Sequence, residues 1–227
     1  MPKATTHPSA FEFIPERPTI PKLWESAQGC TACDLYKHAT QAVLGVGPRE
    51  ASACFIGEQP GDQEDLAGEP FVGPAGRVLD EALAEADIPR EEVFVTNAVK
   101  HFKWEPRGKK RIHAKPSAGE VRACRPWLET ELAIVKPRVI VCLGATAAQT
   151  LMGPKFKITV ERGKFFETPW APWLTATYHP SALLRMPDEI ARREARALFL
   201  ADLRGVAERL RRWPFRRAPG GDKLPRS

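Results

Sequence analysis

Short apolar runs alternate along the chain with segments of helical period. Residues 52–56, 93–96, 138–143 and 174–177 are nearly continuous apolar stretches and read as buried β-strands. Residues 76–86, 117–135, 145–152 and 188–213 repeat apolar positions every three or four residues and read as helices. In the last of these, Ile190, Ala197, Leu200, Leu203, Val206 and Leu210 form one apolar stripe, with arginines on the other faces. Ser117 followed by Glu120 is a capping-box signature at the start of the second. Strands alternating with helices predict an α/β fold, a three-layer α/β/α sandwich around a mainly parallel four-stranded sheet. Residues 164–168 are expected to add a short antiparallel piece.

A chain of 227 residues suits one domain with a real core. Residues 1–20, rich in Pro, Thr and charge, read as an extended lead-in, 21–213 as the single domain and 214–227 as a flexible tail. The segments that follow the strands carry the chemistry. They are Gly57-Glu58-Gln59-Pro60-Gly61, Asn97-Ala98-Val99-Lys100-His101, Gly144-Ala145-Thr146 and Tyr178-His179-Pro180-Ser181. Parallel strands bring these ends to one edge, where open α/β sheets bind ligands. Glu58, Asn97 and His179 are therefore expected to share a pocket.

Composition narrows the partners only locally. The chain is 43% apolar and 27% charged with a formal net charge of +6, ordinary for a soluble protein apart from the basic excess. Nine Lys or Arg lie between Lys100 and Arg125 against two acids, a density that suits a polyanion or a solvated loop equally well. The N-terminus lacks the apolar region of a signal peptide, and the longest apolar run, near 139–148, is too short to cross a bilayer. The expectation is a cytoplasmic monomer with no membrane partner, in a compartment where disulfides are disfavoured. Cys54 and Cys142 lie in strand-like runs and read as core residues. Cys30-Thr-Ala-Cys33 is a CxxC in polar surroundings, and Cys124 is a third thiol with His101 as a candidate fourth ligand. A redox CxxC normally opens a helix after a strand, and none precedes this one. Thiolates suit zinc and iron–sulfur clusters alike.

The stretch GEQPGDQEDLAGEPFVGPAGRVLD from Gly57, the VTNAVK segment and HPSALLR from His179 resemble the iron–sulfur uracil-DNA glycosylases. The resemblance runs from Leu23 to about Leu210 and implies that family's fold. It also implies a 4Fe–4S cluster held by Cys30, Cys33, His101 and Cys124, with His101 where the family has a cysteine. Two departures are similar to the UdgX branch. Gln59 replaces an alanine, and the inserted basic loop Gly108-Lys109-Lys110-Arg111-Ile112-His113 stands close to that branch's Lys-Arg-Arg-Ile-His, with Lys110 preserving the charge. UdgX-type proteins become covalently bound to the uracil site through the loop histidine, which implies that role for His113.

The resemblance assigns roles to the remaining residues. Phe71 would stack on a flipped uracil, and Asn97 would read its O4 and N3–H edge, with backbone near Gln59 and Gly61 completing it. His179 would stabilise charge at O2, and Glu58 would serve water or orient His113. Lys109 and Arg111 would hold the loop against phosphates, and Ser181 would also face the DNA. The expected function is a repair-type glycosylase that acts once on uracil-containing DNA, single- or double-stranded. Two other readings remain open at this point. One is a glycosylase that turns over, with His113 merely near the DNA. The other is a non-catalytic, metal-containing nucleic-acid-binding module.

Overall fold

A computed structural model describes residues 9–212. The expected tail at 214–227 lies outside the described residues, as do the first eight residues of the expected lead-in. The chain runs α1 (Ile20–Ala27), β1 (Ala53–Gly57), α2 (Asp62–Ala67), α3 (Pro74–Glu85), β2 (Val93–Asn97), β3 (Trp104–Arg107) and β4 (Lys110–His113). It continues through α4 (Ala118–Val135), β5 (Val139–Leu143), α5 (Ala145–Met152), α6 (Ile158–Glu161), β6 (Phe165–Phe166), β7 (Trp173–Thr177), α7 (Pro180–Leu184) and α8 (Glu189–Arg212).

The main sheet has the order β2-β1-β5-β7-β6. The first four strands are parallel, and β6 pairs antiparallel with β7 where the short extra piece was expected, so the sheet has five strands. Side chains alternate across each strand, and the sequence uses both faces. Phe55, Val95 and Val141 pack with Leu79 and Leu83 of α3 and with Phe199, Leu203 and Val206 of α8. Cys54, Ile56, Phe94, Ile140 and Cys142 face the other way, against Leu128 and Leu132 of α4 and Leu151 of α5. Burial on both faces is why these strands lack a polar alternation. Cys54 and Cys142 are core residues, as read.

Local signals hold where they are strong. Ser117 and Glu120 make the reciprocal capping bonds at the start of α4. In α8 four of the six expected stripe residues, Leu200, Leu203, Val206 and Leu210, are buried, and the first two are not. Ala195, Phe199, Leu203, Val206 and Leu210 are buried, whereas Ile190 is 71% exposed and Ala197 faces solvent. The face is centred on Phe199, the largest apolar side chain available to fill the space over the sheet. The packed fold also begins before residue 21. Ala10 is fully buried, and Ser26 donates a 2.6 Å hydrogen bond to the Phe13 carbonyl. This N-terminal segment and α1 cover a third apolar cluster with Cys30, Cys124 and Trp127.

A charged pair sits inside the domain. Lys100 and Glu131 are each 1% exposed, with Nζ 2.7 Å from Oε2. Lys100 also donates to Thr96 Oγ1 and the Asn97 carbonyl, while Glu131 accepts from Thr96 Oγ1 and the Gly45 N–H. Removing one partner strands the other charge. Lys100→Met should cost about 3–5 kcal/mol, a fall of roughly 6–20 °C in melting temperature. Adding Glu131→Gln, which removes the stranded charge and keeps the acceptor for Gly45, should recover part of that loss. Thermal melts of the two variants test this, and equal melting temperatures would show that the stranded charge is not the cause.

Candidate active site

The C-terminal ends of β1, β2, β5 and β7 meet at one edge of the sheet, around a cavity of about 450 Å³. Glu58, Gln59, Gly61, Phe71, Asn97, His113, His179 and Ser181 all line it. Gly57 and Asn97 are paired in register, and a side chain at Gly57 would collide with the Asn97 carboxamide and the Phe71 ring. A glycine at the end of β1 therefore makes room for both groups. Phe71 has φ 61°, a left-handed conformation costing a non-glycine residue roughly 1–2 kcal/mol. Gly76 permits it, because a Cβ there would strike the Phe71 backbone. The ring is 8% exposed and stacks near His179, with centroids 6.2 Å apart and planes at 27°. Phe71 thus belongs to the core and to the cavity wall at once.

His179 caps α7. Its Nδ1 accepts the Ser181 N–H at 3.1 Å and lies 2.8 Å from Ser181 Oγ. An accepting Nδ1 puts the ring proton on Nε2. Burial, reinforced by the charges of Arg185 and His113, lowers the His179 pKa to about 4, so the ring is a neutral donor at neutral pH. Ser181, expected at the DNA, orients this ring in the unbound protein.

The expected basic loop is a β-hairpin, β3 and β4, joined by a two-residue turn with Gly108 at φ 59°. Its strands are mostly exposed and hold Pro106, so no apolar alternation announced it. Polar ties hold it to the domain. Gln59 Nε2 donates to the carbonyls of Lys103 and Ala114 at 3.0 and 3.2 Å, and Gln59 Oε1 accepts the Lys103 N–H. The Gln59 side chain thus fastens both ends of the hairpin. Arg111, expected on phosphate, turns inward to Asp62 at 2.5 Å and to the fully buried Asp65 at 2.6 Å. Its guanidinium also lies 5.4 Å from the Phe102 ring centroid. Lys109 stays exposed at the turn. The Gly61 N–H is engaged by Glu64 Oε2 at 3.0 Å, closing the first turn of α2.

These ties present His113, at the end of β4, to the cavity. His113 Nε2 lies 3.4 Å from Glu58 Oε1, and Thr146 donates a hydrogen bond to Glu58 Oε2. The His113 side chain is 48% exposed and that of Glu58 22%, so the pair sits at the rim where a ligand would enter. Thr146, Asp62 and Asp65 were not singled out by sequence. The aspartates had a local signal, an acidic i, i+3 pair at a helix start facing a basic insertion. Thr146 was placed at this edge with the segment after β5, but its partner, 88 positions away, was not foreseen.

Cys124 of α4, Cys30 and His101 are buried, and Cys33 is half-buried. The thiols are close enough to feel one another's charge. Burial pushes the Cys124 thiol up to about 12 and lowers His101 to about 4, leaving a neutral imidazole able to ligate. Cys124 Sγ accepts the Lys100 N–H at 3.1 Å and Cys30 Sγ the Trp127 indole N–H at 3.4 Å, and no disulfide joins any cysteine. Among the described residues, no three His, Cys, Asp or Glu are gathered tightly enough for one metal ion. Thiols and a neutral imidazole are donor types that zinc and iron–sulfur clusters both use. No helix among the described residues is long and apolar enough to cross a membrane.

Residues 44–204 match the family model described as the uracil DNA glycosylase superfamily. The chain is 41% identical over 165 residues to the type-4 uracil-DNA glycosylase of Archaeoglobus fulgidus, covering 70% of this chain and 79% of that protein. It is 40% identical over 162 residues to the type-4 enzyme of Thermotoga maritima, covering 71% and 81%. With that of Pyrobaculum aerophilum it shares 39% over 175 residues, covering 74% and 86%. The matched region holds the four parallel strands and every residue of the cavity, and the chain belongs to the uracil DNA glycosylase superfamily.

Proposed function

We propose that this protein excises uracil from DNA and stays covalently attached to the abasic site through His113. The observation that carries the proposal is the His113 imidazole held at the cavity rim, its Nε2 3.4 Å from a Glu58 oxygen, on a hairpin fastened by Gln59 and Arg111. The names of the type-4 relatives support uracil in DNA as the substrate.

Uracil must leave the stack or arrive in single-stranded DNA to enter the cavity. Phe71 supplies a flat face. The Asn97 carboxamide offers one donor and one acceptor to O4 and N3–H, a pattern that cytosine reverses. As the C1′–N1 bond breaks, its electron pair leaves with uracil, and the Nε2–H of His179 meets the charge growing on O2. The sugar becomes cationic at C1′. Glu58 takes the proton from His113 Nε2, whose freed pair forms the C1′–Nε2 bond, and the proton remaining on Nδ1 is lost to solvent. Imidazole leaves poorly from this product, so each chain acts once. Lys109, at the exposed turn, meets phosphate, as does Ser181 where its hydroxyl reaches the strand.

A 4Fe–4S cluster on Cys30, Cys33, His101 and Cys124 completes the proposal. It would supply a structural clamp between the N-terminal segment and the start of α4. The thiols, the neutral imidazole and the N–H donors to two sulfurs support this assignment.

Wild-type protein should give a heat- and detergent-stable band with uracil-containing DNA on a denaturing gel and none with thymine-containing DNA. His113→Ser should abolish the band and release abasic product. A full adduct from that variant would remove the proposed nucleophile, and abasic product alone from wild type would indicate ordinary turnover. Asn97→Ala should slow single-turnover excision about 10- to 100-fold, and an unchanged rate would put the base elsewhere. Anaerobically purified protein should be brown with about four irons per chain, and Cys30→Ala should lose colour and solubility. Zinc as the sole metal would overturn the cluster.

A further inference from the structure

Glu58 has two oxygens and, on the proposed mechanism, two candidate clients. One is the His113 imidazole. The other is water, which could add to C1′ by forming a C1′–O bond and passing its proton to the same carboxylate. We propose that Thr146 is the positioning residue that reserves Glu58 for His113, and so sets the ratio of captured to hydrolysed sugar. The proposal deepens the capture mechanism and depends on it.

The geometry is specific. Gly144, at φ 91°, turns the chain sharply from β5 into α5 and brings Thr146 into the helix's first turn. The Thr146 side chain is packed down, with the residue 8% exposed. Its hydroxyl donates to Glu58 Oε2, while its carbonyl accepts separately from Thr150 Oγ1 at 2.8 Å. With Oε2 held, Oε1 is the oxygen left facing His113 Nε2 at 3.4 Å. Without the donor the carboxylate can rotate about its own side-chain torsions and present either oxygen to solvent. Thr146 also lines a second cavity of about 660 Å³ between α4 and α5. It is therefore part of the wall between the two cavities. Valine matches threonine in shape, so Thr146→Val removes the donor and keeps the wall.

The test uses full-length, metal-loaded protein in single-turnover reactions with a uracil-containing single-stranded oligonucleotide. Adduct and free abasic product are separated on one denaturing gel across a series of DNA concentrations. Thr146→Val should lower the adduct-to-free-product ratio about 10-fold or more, the scale of a hydrogen bond to a charged group, without shifting the half-saturating DNA concentration. Thr146→Ser, which keeps the hydroxyl, should restore the ratio. Thr146→Ala serves as a second donor deletion should the valine variant fold poorly. Wild-type ratios in the valine and alanine variants would overturn the proposal, and so would a serine variant as impaired as the valine one. Absence of adduct from wild type would instead overturn the capture mechanism on which it rests.

Discussion

Lys100 and Glu131 form an ion pair removed from water at the centre of this protein, and both halves of the site are built on it. Each charge is hydrogen-bonded on several sides, the condition under which a buried pair is tolerated. The pair joins the end of β2, the Gly45 segment and α4. On one side it grips the carbonyl of Asn97, whose carboxamide lines the cavity. On the other, the backbone N–H of the same lysine reaches Cys124, and His101 is the next residue along. The Asn97 wall of the cavity and the buried cysteines are thus separate ends of one polar network. A shift of α4 relative to β2 would disturb both.

The hairpin that carries His113 shows a different economy. It buries little apolar surface, so it cannot be held by the hydrophobic effect that holds the sheet. Gln59, Asp62 and Asp65 hold it instead, with the Arg111 guanidinium fitted between carboxylates and aromatic rings. Much of the basic density between Lys100 and Arg125 is consumed in such internal pairs. Lys100, Lys103, Arg111 and Arg125 all meet carboxylates. Arg107, Lys109, Lys110, Lys115 and Arg122 are exposed, with no ion-pair partner among the described residues, and they account for the attraction this face would exert on a polyanion.

Backbone conformation does work that side-chain identity conceals. Phe71 can serve the core and the cavity wall together only because its backbone adopts a left-handed turn, and Gly57 and Gly76 clear the space it and Asn97 occupy. The His179-Pro180-Ser181 turn ties up Nδ1 and so decides which nitrogen carries the proton. Each feature sets the direction in which an otherwise common group points.

The sequence by itself determined the α/β class, the four buried strands, the antiparallel addition, the capping box of α4 and the convergence of Glu58, Asn97 and His179. All of these follow from local periodicity, or from the rule that parallel strands end at one edge. The tertiary structure decided the rest. The N-terminal part of the α8 stripe was decided by packing, because Ala195 and Phe199, not Ile190 and Ala197, fill the space over the sheet. The hairpin was invisible because its exposed strands need no apolar alternation. The Gln59 and Arg111 side chains hold the hairpin to the domain in the unbound protein, and the Thr146 bond to Glu58 had no sequence signal beyond its place after β5. A side chain's partner can lie 44, 46 or 88 positions away, as it does for these three. A hydrogen bond is set by distance and direction between atoms, and only the folded chain brings such atoms together.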